Sequence, residues 1–191
     1  MTDDQRFASR RPDVLVFKTE ILKEDMTLTG PVIADLFVGI STTDADFVVK
    51  VIDVFPDDFK YIDSITNPKQ TRDTKRNLKP NYPMGGYQML VRGEIMRGKF
   101  RNSFETPEAF IPNKISEVKF ELPDVAHTFQ KGHRIMVQIQ STWFPLADRN
   151  PQKFVDIYHA NKNDFQKATI RIYHDAQNAS KIILPVLNTR K

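Results

Sequence analysis

Short runs in which side chains alternate between two faces, each closed by glycine, proline or aspartate, recur along almost the whole chain. Ile135, Val137 and Ile139 alternate with Met136, Gln138 and Gln140; Val118, Phe120 and Leu122 with Lys119 and Glu121; Ile170 and Ile172 with Arg171 and Tyr173. A repeat of two puts one set of side chains on a core and the other toward water, as in a half-buried strand. The run from Phe47 to Phe55 is instead apolar almost throughout and rich in β-branched residues, which predicts a strand buried on both faces. Further strands are expected over residues 14–19, 31–41, 87–96 and 181–187, about eight in all. Gly30-Pro31, Pro56-Asp57, Gly85-Gly86, Arg97-Gly98, Pro123-Asp124 and Lys131-Gly132 stand between or beside them as turn formers. Many short strands with few helical patterns predict an all-β fold, an antiparallel two-sheet jelly-roll sandwich over residues 1–191 as one domain. Residues 56–86, and above all the Asn-, Thr-, Lys-, Arg- and Pro-rich stretch from Ser64 to Pro83, read as a long loop excursion from that sandwich.

Composition narrows the function classes. The net charge of +4 is spread along the chain, and its densest cluster, Arg72, Lys75, Arg76 and Lys79, falls in the excursion. A solvated loop explains it better than a phosphate track, so no nucleic-acid partner is expected. No apolar run reaches the roughly 20 residues of a membrane span, and no membrane partner is expected. The absence of cysteine excludes disulfides, thiolate catalysis and Cys-ligated zinc. The acidic, polar start at Met1-Thr2-Asp3-Asp4 carries no signal-peptide pattern. Should the chain be an excised C-terminal part, a parent's targeting signal lies outside it. The compartment stays open, a periplasmic or secreted parent being one reading.

No catalytic constellation is legible. A serine nucleophile elbow needs a Gly-x-Ser-x-Gly turn. The nearest fragment, Gly39-Ile40-Ser41-Thr42-Thr43, lacks the second glycine, so Ser41 reads as a turn residue. His127, His133, His159 and His174 show no zinc-protease spacing. His133, between Gly132 and Arg134, reads as a strand-start residue bonded to a neighbouring loop. Asp44, Asp46 and Asp53 offer hard oxygen ligands but not at EF-hand spacing, so they read as turn formers; no metal and no cofactor are expected. Asp148-Arg149-Asn150-Pro151 suggests a loop fixed by hydrogen bonds, with Arg149 suited to a bidentate carboxylate pair or to a contact with another domain. Trp143, Phe144 and Tyr158 are read chiefly as core or interface aromatics, with a sugar-stacking platform as the alternative. Whether the chain is an enzyme is not decided at this level.

An ordered series of motifs carries more. Arg11-Pro12-Asp13-Val14-Leu15, Leu28-Thr29-Gly30, Asp44-Ala45-Asp46-Phe47, Asp53-Val54-Phe55-Pro56, Lys131-Gly132-His133-Arg134, Phe144-Pro145, Asp148-Arg149-Asn150 and Ile183-Leu184-Pro185-Val186 together resemble the C-terminal non-catalytic domain of the X-Pro dipeptidyl-peptidase and cocaine-esterase family. Gly86-Tyr87-Gln88, Arg97-Gly98-Lys99-Phe100-Arg101, Ser103-Phe104 and residues 141–146 are most similar to the α-amino-acid ester hydrolases and glutaryl cephalosporin acylases within it. The long 64–83 stretch departs from the shorter loop of X-Pro peptidase relatives. The resemblance implies a galactose-binding-like jelly roll packed on the α/β-hydrolase and helical cap domains of a parent serine hydrolase. It also implies that the Ser, Asp and His of catalysis, the oxyanion hole and the acidic cluster lie outside this chain. The sandwich would then support the catalytic domain and active-site entrance without hydrolysing anything alone. His133, Arg134, Trp143, Phe144, Asp148 and Arg149 are the expected interface residues. Homo-oligomerisation through exposed sheet edges and a free-standing carbohydrate-binding module are the remaining readings.

Overall fold

A computed structural model describes residues 3–59 and 84–188. Among them stand eight strands, β1 (Leu15–Lys18), β2 (Met26–Ile40), β3 (Asp46–Val54), β4 (Gln88–Arg97), β5 (Ser116–Phe129), β6 (Arg134–Gln140), β7 (Ile170–Tyr173) and β8 (Lys181–Ile183). Every pairing is antiparallel, and the described helical segments are short 3-10 turns. One sheet runs β1-β6-β3-β4; the other runs β5-β2, with β7 and β8 successively along the far side of β2. The chain changes sheet after β1, β2, β4, β5 and β6, which gives the expected jelly-roll sandwich. The excursion foreseen at 56–86 lies largely outside the described residues, and the 64–83 stretch lies there entirely.

Two turn signals are misleading. Gly30-Pro31 and Pro123-Asp124 do not end strands but lie inside β2 and β5, where the register steps from Gly30↔Val125 to Val32↔Leu122. Neither proline can donate to a ladder, and the two sit together at this one irregularity, where both missing donors fall on the same break. Each strand therefore continues, to 15 and 14 residues.

The inner faces close over Leu28, Val32, Ala34, Leu36 and Val38 from one sheet and Phe47, Val49, Val51, Ile135 and Ile139 from the other, with Val118, Phe120 and Leu122 added by β5. As expected of its unbroken apolar run, β3 is buried on both faces. Its outer face is covered by the segment before β1: Gln5 and Ala8 are buried, Gln5 N–H donates to Gln88 O at 2.9 Å, and Asp4 bridges Met89.

This cover seals in a lysine. Lys50 is 1% exposed, its Nζ donates to Gln5 Oε1 at 2.9 Å, and it lies 4.9 Å from the centroid of the Trp143 ring. Burial, with Arg11 adding repulsion, pushes its pKa down to about 8 from 10.5. A base whose folded pKa is depressed contributes stability that is fully present above its unfolded pKa and is lost as pH falls through the folded one. Urea unfolding is accordingly expected to show stability rising by about 3 kcal/mol at most between pH 8 and 10.5 from this group. Lys50→Met removes that slope and stabilises the fold at pH 7, and equal slopes in the two proteins would exclude the assignment.

Candidate functional site

The strand ends sort the loops into two groups. At one end β2, β4 and β6 finish and β3, β5 and β7 begin, so residues 41–45, 98–115 and 141–169 meet there. Asp44, Asp46 and Asn150 organise this end, and all three are buried. Asn150 Nδ2 donates to Asp46 Oδ1 at 2.8 Å and to Asp44 Oδ2 at 3.2 Å. Asp44 Oδ1 accepts the backbone N–H groups of Ala45 and Lys99 at 2.9 and 3.1 Å. Arg97 Nη1 stands 3.4 Å from Asp46 Oδ2 and reaches toward Asp148 at 4.0 Å. Burial raises the Asp46 pKa to about 6 against the opposing pull of Asn150 and Arg97, and burial also raises that of Asp44. Asp44 lies in the turn read from the sequence, whereas Asp46, also read as a turn former, opens β3; together they fix a loop more than 100 residues away in the chain.

The 98–115 loop is held just as firmly. Arg101 lies 4.0 Å from the Phe110 ring centroid and donates to the carbonyls of Gly98, Glu108 and Ala109. Gly98 is required by close approach, because a Cβ there would lie 2.5 Å from Ala45 O and 2.6 Å from Phe110. Ser41 closes the turn its sequence suggested, its Oγ accepting the Thr169 N–H at 2.9 Å.

On this base the surface is aromatic. Phe104 is 80% and Tyr158 85% exposed, and Phe144, Leu146, Phe154 and Phe165 are exposed too. Arg149 is exposed beside Phe165, 5.8 Å from its ring centroid. The Phe144–Pro145 peptide is cis. Trp143, by contrast, is 6% exposed and faces inward. Its ring lies over Gly93, where a Cβ would approach within 2.7 Å, and its Nε1 is buried without a hydrogen-bond partner. That burial corrects the sugar-platform reading, since no flat indole face is offered to a ring.

At the opposite end β3 and β5 finish and β6 begins. Asp53 is buried here between two imidazoles, Oδ1 at 2.7 Å from His133 Nδ1 and Oδ2 at 2.9 Å from His127 Nε2. The His133 ring packs against Phe55 with centroids 4.7 Å apart and planes tilted by 44°, and Gly132, with φ +90°, makes the turn that carries the chain between sheets. His133 is therefore the strand-start residue foreseen, but its partner is the end of a strand rather than a loop. Arg134, partly exposed, donates to Thr19 O at 3.0 Å. The link between Asp53 and His127 is not visible in the sequence, because sheet pairing rather than spacing brings them together.

These sites hold structure rather than chemistry. Among the described residues the carboxylate at His127 and His133 bonds no hydroxyl, Ser41 Oγ is engaged by backbone, and His159 pairs with the exposed Asp156. Together with two antiparallel sheets and an aromatic, arginine-bearing loop end, they define an accessory β-sandwich domain. The chain belongs to the family described as the X-Pro dipeptidyl-peptidase C-terminal non-catalytic domain, which matches residues 3–183. Cocaine esterase of Rhodococcus sp. (strain MB1 Bresler) is 31% identical over 184 residues, 96% of this chain and 27% of that protein. Two solved structures, an aminopeptidase from a marine sediment Thaumarchaeota archaeon and an α-amino acid ester hydrolase, each superpose with a TM-score of 0.83 at 42% identity. The match covers 98% and 97% of this chain respectively, and 28% and 27% of the solved chains. The chain thus spans about a quarter of the length of these relatives.

Proposed function

We propose that this chain is the accessory sandwich of a larger serine hydrolase of the esterase, peptidase or amino-acid ester hydrolase kind, packed on its α/β-hydrolase and cap domains. The observation that carries the reading is the loop end, where Asp44, Asp46, Asn150 and Arg101 fix a backbone whose outward side chains are exposed aromatics. Ordering loops so firmly under uncovered apolar side chains suits a surface that another domain covers. Phe144, Asp148 and Arg149 belong to that docking surface, and Arg134 offers a second contact at the far end. Trp143, buried beneath it, positions that surface, and His133, buried at the far end, positions Arg134; neither touches the partner.

The test is association in trans with the separately expressed hydrolase and cap region of the parent. The chain is expected to bind that region and to raise its thermal midpoint. Phe144→Asp and Arg149→Glu, both at exposed positions, are expected to weaken binding by roughly tenfold each, about 1.4 kcal/mol, while leaving the sandwich as stable as before. Binding unchanged by either substitution would contradict the assigned surface, and absence of binding would contradict the accessory role.

A further inference from the structure

The two sheets do not match in width. With β4 against β5 and β3 against β2, the β7–β8 line faces β6, and among the described residues β1 is left without an opposite strand. Leu15 and Phe17 pair with Ile139 and Val137 and so share their inward face. An inward face in a closed sandwich is buried, yet Leu15 is 44% and Phe17 48% exposed. They form one bank of a groove whose floor is Ile139 and Val137 and whose other bank is Ile172 and Ile182. Two adjoining cavities share Ile139 and Ile172, so the groove runs continuously along the sandwich. Among the described residues β7 and β8 pair with β2 alone, which leaves their outer backbone edge without a strand.

We infer that this groove is a strand-acceptor site, which takes an extended segment alongside β7 and β8 as the fourth strand of the narrower sheet. Such a segment would bond the free edge through its main chain and seat every second side chain against Leu15, Phe17 and Ile172. His174 and Lys181 stand on one bank, but Lys181 Nζ lies 3.3 Å from Asp35 Oδ2, and the acid at the far mouth, Asp13, is held by Arg11. With the rim charges paired among themselves, the occupant is defined by apolar side chains at alternate positions rather than by its charge. Its source is the hydrolase part of the same polypeptide, a choice that rests on the accessory-domain reading. Nearly three quarters of the relatives' length lies outside the matched region and is available to supply it.

The probe is a capped peptide of alternating valine and threonine with glutamate at both ends, set against a control of the same composition with its valines in one block. NMR of the 191-residue chain is expected to show methyl shifts at Ile172 and Ile182 and slowed amide exchange across β7 and β8 with the first peptide only. Phe17→Glu, at an exposed position, is expected to weaken binding about tenfold, and Tyr158→Ala to leave it unchanged. No binding at millimolar peptide, equal binding of the control, or shifts confined to the 141–169 loops would overturn the inference. None of those outcomes touches the accessory reading, which stands or falls on the Phe144 and Arg149 surface.

Discussion

Trp143→Ala is expected to destabilise the chain by roughly 4 kcal/mol, as large aromatic truncations in cores do. For a domain of this size that is a fall of roughly 10 °C in the thermal midpoint. The indole is 6% exposed, packs on Gly93 and covers Lys50, so its removal opens a cavity and forfeits those contacts. The same packing predicts that Gly93→Ala is costly, because a methyl group there would lie 2.7 Å from the ring and 3.3 Å from Lys50. Neither site is at the surface, so a carbohydrate panel should leave Trp fluorescence unmoved in the wild type. A Trp143→Ala protein as stable as wild type, with lost polysaccharide binding, would restore the sugar-platform reading.

The second large effect belongs to Asp53. Replacing it with alanine leaves the facing nitrogens of His127 and His133 without their carboxylate, and stranding buried polar groups costs about 3 kcal/mol here. The two imidazoles hold the ends of β5 and β6 against the end of β3, so the loss also frees the turn at Gly132. Asp53→Asn keeps one acceptor oxygen and is expected to recover about half of the loss. Denaturant midpoints for Asp53→Ala, His133→Ala and the double variant test the coupling. Additive effects would mean that the carboxylate and imidazole do not act together.

The fold was largely legible because a two-residue period survives wherever one face of a strand meets a core. Ile135 to Gln140 and Ile170 to Tyr173 form the expected strands, and the apolar density of Phe47 to Phe55 correctly marked a strand covered on both sides. Proline misled where it falls on a ladder break: Pro31 and Pro123 look like strand ends taken singly, and only their pairing across β2 and β5 shows that the break is shared. The site was legible in part. Asn150 and Asp44 declared themselves as loop residues by type, whereas Asp46 and Asp53, read as turn formers, lie inside β3, and the depth of Trp143 depends on Gly93, 50 residues away, and on a lysine that no local pattern marks as buried. Arg149 was recognised as a surface group, but its neighbour Phe165 is supplied by the loop before β7.

At the centre of the account is a domain that stabilises and shapes without reacting. Its most direct test is incubation of the purified 191-residue chain with a fluorophosphonate, which phosphonylates the activated serine of a serine hydrolase, with loss of fluoride, in preference to ordinary hydroxyls, followed by intact-mass and peptide mapping. The account predicts an unmodified mass under conditions that fully label a serine hydrolase control. Stoichiometric phosphonylation of a single serine, Ser41 above all, would contradict it.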